Sequence, residues 1–307
     1  MRVDLVARPY ASDRDYWRIR AFLRRLRPDG LAHPQSWHVL RWDYWRWHGV
    51  LNCGDPPPEA TATIWEAPDG EIGAVVNGES RANAFFQVDP RHRSRRLDAE
   101  MLAAAEARIG CDGRLVAWAA ASDAPLRRML TDSGFAPTDD IEHVRARSLR
   151  DPVPDPQIAA GYRIRALGGD EDFPARGELS LRVFHPVPDG SIGMSADDYR
   201  NIQRCPLYRR DLDLVVETDA GELAAFATFW LDDTTRTVEI EPVGTDAPHR
   251  RQGLSRALLL AGMRRARWMG AEFAHVGSYG EAAHAAYEAV GLKTIERLVA
   301  WERPTPS

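Results

Sequence analysis

The pattern of apolar and polar positions gives the same order of elements twice along the chain. In the second half, Tyr162–Ala166 alternates as a strand does and Phe173–Phe184 carries the apolar spacing of a helix. Ser195 is an N-cap that opens another helix through Tyr199. Three strands are expected close together, at 212–217, 223–231 and 237–243. The turn signals between them, Asp219-Ala220-Gly221 and Asp232-Asp233-Thr234, suit antiparallel hairpins. A basic turn from His249 to Gly253 then leads into an apolar-faced helix ending near Trp268. A strand at 272–277, a helix at 281–290 and a strand at 294–301 complete the unit.

The first half follows the same order. Strand 3–7 and helix 16–26 come first, then an aromatic-rich segment and strands near 61–66, 72–77 and 84–88. A basic turn, Arg91 to Arg96, precedes a helix to Ile109, a strand at 115–119, a short helix at 125–132 and a strand near 143–148. Between the halves, Pro152, Pro154 and Pro156 remove backbone donors and favour an extended spacer. The reading is therefore an α+β protein of two tandem domains, each a mixed, mostly antiparallel twisted sheet flanked by helices. The expected boundaries are 1–150, a proline-rich linker at 151–160, and 161–307.

Length agrees, since 307 residues are long for one core and comfortable for two. With 44% hydrophobic and 28% charged residues the chain is neither disordered nor collagen-like. A net charge of −5 gives no overall attraction to nucleic acid, so an anionic ligand has to be held locally. No apolar run approaches the length of a membrane span, and the first residues carry no apolar signal region. Cys53, Cys111 and Cys205 are odd in number and lack metal or redox spacing, which supports neither disulfides nor a zinc site. A cytoplasmic protein without metal, nucleic-acid or membrane partners is expected, as a monomer or homodimer. Lys293 is the only lysine, a bias of composition with no function attached.

The chemistry concentrates in three stretches of the second half. They are the strand Glu239-Ile240-Glu241-Pro242-Val243-Gly244-Thr245, the loop Arg250-Arg251-Gln252-Gly253-Leu254-Ser255, and Ala286-Tyr287-Glu288-Ala289-Val290-Gly291-Leu292. In this order they resemble the GCN5-related N-acetyltransferases (GNATs), whose loop reads R/Q-x-x-G-x-G/A and whose later segment reads LYExxGF. Ser255 departs from the last loop position but is small. The loop's physics is independent of the name. A helix N-terminus presents unpaired N–H groups and about half a positive charge, which suits a diphosphate. Gly253 lets the backbone approach, and Arg250 and Arg251 add charge. Neither GxGxxG nor a P-loop is present.

The resemblance implies acetyl-CoA as acyl donor, bound by Val243, Gly244 and Thr245 at its pantetheine arm and by Arg250, Arg251, Gln252, Gly253, Leu254 and Ser255 at its diphosphate. It also implies that the strand parts from its neighbour at a bulge, for which Gly244 is the expected position, with a backbone N–H facing the thioester oxygen. Transfer to an amine requires a base. Period-two geometry puts Glu239 and Glu241 on one face, and mutual proximity raises the pKa of one of them. Glu241, beside the bulge, is favoured over Glu239. Tyr287 stands where the family places the tyrosine that protonates the thiolate. Gly280 replaces the family's asparagine, and His284, one turn before Tyr287, is read as a surface histidine rather than a proton relay.

The first half looks like a degenerate copy. Matching its turn to the family loop puts Arg96 at the first glycine and Asp98 at the second, both opposed to a diphosphate, while Leu130 replaces the tyrosine. Its expected role is structural or acceptor-shaping. The aromatic run from Trp37 to His48 fits a buried helix stitching the two domains together better than an acceptor pocket. The expected function is acetyl transfer from acetyl-CoA to a primary amine of a small molecule, or of a protein or peptide. The alternative is a non-catalytic acyl-CoA-binding regulatory module.

Overall fold

The computed structural model describes residues 4–27, 35–184 and 194–303. The expected start of the first strand at Val3 and the tail Pro304 to Ser307 lie outside them. In chain order the strands and helices are β1 (Val6–Pro9), α1 (Asp13–Arg25), α2 (Val39–Tyr44), α3 (Pro58–Thr61), β2 (Thr63–Glu66), β3 (Ile72–Gly78), β4 (Asn83–Val88), α4 (Arg95–Arg108), β5 (Val116–Ala120), α5 (Ala124–Asp132) and β6 (Ala136–Ser148). There follow β7 (Tyr162–Ala166), α6 (Phe173–Phe184), α7 (Ala196–Gln203), β8 (Asp213–Thr218), β9 (Leu223–Asp232), β10 (Thr237–Thr245), α8 (Leu254–Trp268), β11 (Phe273–Ser278), α9 (Glu281–Glu288) and β12 (Lys293–Glu302). The α+β class read from periodicity is the one observed.

The chain forms two compact units, residues 1–144 with 295–307, and residues 145–294. The division falls inside β6 and β12 rather than in the proline-rich stretch. The last strand is the main departure from expectation. Instead of closing the second repeat, it pairs antiparallel with β5 of the first unit, Leu298 opposite Ala120 and Trp301 opposite Ala117. Thr138 Oγ1 donates to Ala300 O from β6 on its other side at 3.2 Å. Periodicity identifies a strand but not its partner, so the sequence order alone placed β12 with its neighbour in the chain.

In the first unit the strand order is β1-β2-β3-β4-β5-β12-β6. One face packs against α4 through Met101, Leu102 and Ala105, and the other against α1 and α2. Trp37, Trp42 and Trp45 are buried in that second layer with Tyr16 and Phe22, so the aromatic run is core of its own unit. Asp43 is fully buried there and accepts from Tyr16 Oη at 2.5 Å and Arg20 Nε at 2.7 Å.

In the second unit the order is β11-β10-β9-β8-β7. Every residue of β9 is buried, as expected of a central strand covered on both faces. Ala225, Ala227, Phe229 and Leu231 face α8, whose Leu254, Leu258 and Met263 form the larger core. A side chain at Gly262 would overlap the ring of Phe229, so the helix lies close on the sheet. Phe226 and Val215 face the opposite layer, with Phe173 and Leu179 of α6 and Tyr199 of α7. Helix α7 starts at a capping box in which Ser195 Oγ accepts from Asp198 N at 3.1 Å and Asp198 Oδ2 accepts from Ser195 N at 2.7 Å.

Candidate active site

The site is built where β10 loses its neighbours. Pairing of β10 with β9 is regular from Thr237 to Ile240, shifts, and resumes at Val243 opposite Ala227. Pro242 has no N–H for the ladder, which places the bulge at Glu241 and Pro242 rather than at the expected Gly244. Gly244 pairs regularly with Phe226, and its lack of a side chain has a packing cause. A methyl group there would lie 2.5 Å from Phe226 Cζ and 2.7 Å from Val183 Cγ1. On its other edge β10 pairs with parallel β11 only at Thr237, Val238 and Glu239. Among the described residues the two strands therefore part after Glu239, as the wedge for a pantetheine arm requires.

The bulge also changes which side chains share a face. Glu239 lies opposite Trp230, on the side of α6 and α7, whereas Val243 lies opposite Ala227 and packs in the core under α8. Strict alternation would keep residues 239 and 243 on one face. Alternation therefore changes sides between Glu239 and Val243, with Glu241 inside the bulge opposite Thr228, on the side that Trp230 and Glu239 share. Another observation links the two: both carboxylates, Glu241 before Glu239, act on Tyr287. Tyr287 is only 8% exposed. Burial chiefly, then the two negative charges, push its phenol well above the usual tyrosine range, against a smaller opposite effect of Arg145. Glu241 is exposed and Glu239 half-buried.

The loop after β10 has the shape expected of an anion cradle. A 3₁₀ turn at Ala247–His249 is followed by four residues, Arg250 to Gly253, before α8 begins. Arg251 and Gly253 both take left-handed backbone, at φ of +64° and +77°. Gly253 is the N-cap of α8, and a methyl group there would meet no protein atom within 4 Å. That open space lies at the positive end of a 15-residue helix, with Arg250, Arg251 and Gln252 exposed beside it. A diphosphate fits this arrangement. The departure at Ser255 is accommodated: its hydroxyl bonds Thr245 Oγ1 at 2.7 Å and ties the first turn of α8 to the end of β10. Arg250 Nε donates to Thr245 O at 3.2 Å, and Leu254 is buried beneath the loop.

The corresponding loop in the first unit differs in length. After the 3₁₀ turn Pro90–His92 only Arg93 and Ser94 precede α4, two residues fewer than in the second unit. Ser94 Oγ caps the helix by accepting from Leu97 N at 3.2 Å. The helix starts at Arg95, so Arg96 lies inside the first turn, not at the cap position expected from the motif. It reaches outward to Glu100 at 2.7 Å. Asp98 is buried and paired with Arg93 at 2.7 Å, and Arg93 also binds buried Asp123. Leu130 is fully buried.

Sequence reasoning missed the groups that hold the site from behind. Trp230, wholly buried, donates its indole N–H to the carbonyl oxygen of Glu241. Its ring meets Tyr208 edge-on at 5.9 Å. Tyr208 Oη donates to Asp213 Oδ2 at 3.1 Å, and Thr228 Oγ1 donates to Asp213 Oδ1 at 3.0 Å. Arg145 donates from Nε to Ser278 Oγ at 2.9 Å and lies 3.0 Å from Glu288, one residue past Tyr287. No short motif joins these residues, because they meet only once the sheet forms. Gly280 caps α9 at a φ of +75° without a side-chain bond, and His284 is half-buried on that helix. Among the described residues no cluster of His, Cys, Asp or Glu could hold a metal ion, and no helix is long and apolar enough to cross a membrane.

Comparison with known proteins agrees with this geometry. Residues 185–292 match the acetyltransferase (GNAT) family, and the chain carries a domain of that N-acetyltransferase family. A mycothiol acetyltransferase of Salinispora arenicola is 26% identical over 83% of this chain and 86% of its own length. A GCN5-related N-acetyltransferase from Sphaerobacter thermophilus superposes with a TM-score of 0.68 at 19% identity, covering 99% of this chain and 97% of that one. A tandem GNAT protein from the clavulanic acid biosynthesis pathway also gives 0.68, at 16% identity, covering 99% and 100%. The two solved structures show the fold, and the second shows it in a protein of tandem organisation.

Proposed function

We propose that the second unit transfers an acetyl group from acetyl-CoA directly to a primary amine of a small molecule, and that the first unit is a degenerate copy with a structural or acceptor-shaping role. The parting of β10 from β11 beside the open cradle at Gly253 carries this reading. The relatives named for mycothiol acetylation support a small acceptor. When bound, acetyl-CoA supplies the acetyl group as a thioester. The N-terminus of α8 with Arg250 and Arg251 holds the diphosphate, and the free edge of β10 at Val243, Gly244 and Thr245 directs backbone donors at the acyl oxygen.

Glu241 takes a proton from the acceptor's ammonium, directly or through water, so that the neutral amine attacks the thioester, and Glu239 keeps negative charge beside it. Tyr287 holds its proton at the working pH because burial and the two carboxylates oppose a phenolate, so it stands as a hydrogen-bond donor to the departing sulfur, which leaves as the thiol with the second proton shed by the acceptor nitrogen. Cys53, Cys111 and Cys205 are in no disulfide, and none is required for direct transfer. The experiment is an acetyl-CoA-dependent assay over a panel of small primary amines and peptides, following free thiol release. Turnover with a small amine that falls by about 100-fold or more in Glu241→Gln is expected. Tight acetyl-CoA binding with no turnover on any amine overturns the enzymatic reading and leaves an acyl-CoA-binding module.

A further inference from the structure

On the flank of α8, within the second unit, lies a cavity of about 460 Å³ lined by Arg147, Asp151, Arg256, Leu260, Gly291 and Lys293 among others. Three of these side chains are cations and one is a carboxylate. Nearby basic groups are neutralised: Arg264 pairs with Asp155 at 2.9 Å and Arg145 with Glu288 at 3.0 Å. The cavity cations are not. Arg147 gives its guanidinium to the carbonyl oxygens of Val290 and Pro152. Among the described residues Arg256 and Lys293 have no carboxylate at ion-pair distance. Unpaired positive charge gathered in a concave, partly apolar space is the environment that recognises a compact anion.

From this clustering we infer that the cavity is a binding site for a phosphate monoester, held by Arg256, Lys293 and Arg147. A dianion matches three cations offset by the single Asp151, and the two guanidinium forks suit phosphate oxygens. Arg256 lies three residues beyond Gly253, about 4.5 Å along the axis of α8. The cavity thus begins one turn below the proposed diphosphate cradle. The monoester has two sources: the 3′-phosphate of the donor, an assignment that rests on the function proposed above, or a separate phosphorylated ligand.

Because Lys293 is the only lysine, its ε-amine can be followed alone by mass spectrometry during labelling with an amine-selective acylating reagent, with the N-terminal amine as internal control. Inorganic phosphate is expected to slow labelling of Lys293 and not of the N-terminus, and Arg256→Gln to weaken that protection about tenfold. Protection by coenzyme A at concentrations about tenfold lower than by 3′-dephospho-coenzyme A assigns the phosphate to the donor. Equal protection by both, or by neither, with phosphate protection intact assigns a separate ligand. If calorimetry shows no coenzyme A binding while phosphate still protects Lys293, the donor reading fails and the site stands. Labelling indifferent to phosphate, with no preference for coenzyme A over its dephospho form, overturns the site.

Discussion

The indole N–H of Trp230 donates to the main-chain oxygen of Glu241, so the residue proposed as base is held through its backbone by a buried ring on the next strand. The side chain of Glu241 stays exposed while its main chain is fixed. Trp230→Phe keeps most of the ring and removes the donor. The expected result is a stability loss of about 1–3 kcal/mol and a fall in kcat with little change in acetyl-CoA affinity, read by denaturant titration and steady-state kinetics. Unchanged kcat would show that the bulge holds its shape without this bond.

Ser255 is the loop position that departs from the family pattern, and its hydroxyl bonds Thr245 Oγ1 at 2.7 Å, tying the loop to the end of β10. Ser255→Ala should therefore bind acetyl-CoA nearly as well as the wild type and lose about 0.5–1.5 kcal/mol of stability. Calorimetry and urea unfolding on the same preparation check both halves. A tenfold loss of affinity would mean that the hydroxyl touches the donor.

The first unit has filled its own loop with charges. Arg93 serves both Asp98 and Asp123, which are 3% and 4% exposed. Removing it in Arg93→Met leaves two buried carboxylates without their cation and is expected to cost about 3–5 kcal/mol. Acetyl-CoA stoichiometry in the variant, measured below its unfolding midpoint, should not change.

Several buried phenols make stability sensitive to alkali. Burial is the main cause that pushes Tyr10 up to about 12 and raises Tyr287 further. A group whose folded pKa is raised binds its proton more tightly when folded. Its contribution is complete below the unfolded value of about 10 and is lost as pH rises through the folded one. Stability should therefore hold from neutral pH to about 9 and fall from about pH 10 upward. Urea midpoints across that range test it, and the fall should be shallower in Tyr10→Phe. In activity, Tyr287→Phe should lower kcat by about 10- to 100-fold, with no alkaline limb attributable to Tyr287 below about pH 10 in the wild type.

The order of elements and the glycine-capped start of α8 were legible because each depends on local chemistry. Alternation marks strands, and a glycine ahead of an apolar-faced helix marks where that helix begins. What was not legible depends on long-range pairing. Nothing in residues 294–301 tells them to join β5 rather than the strands of the second repeat. The bulge was readable in principle from Pro242, which cannot donate to a ladder, but Gly244 attracted the assignment although its small size serves Phe226 and Val183. The two-residue shortening before α4 was hidden because matching arginines to a motif ignores where the helix begins, which Ser94 announces as a cap.

On the proposed function, one acetyl-CoA binds per chain, at the N-terminus of α8. Calorimetric titration of acetyl-CoA into the wild type and Gly253→Glu, with Arg96→Gly as a control for the first unit, tests it most directly. Gly253 faces open space at a left-handed φ of +77°, so a glutamate there strains the backbone and puts a carboxylate where the diphosphate is proposed to bind. A single site is expected in the wild type and in Arg96→Gly, and none in folded Gly253→Glu. Binding undiminished by Gly253→Glu, or a second site that responds to Arg96, would contradict it.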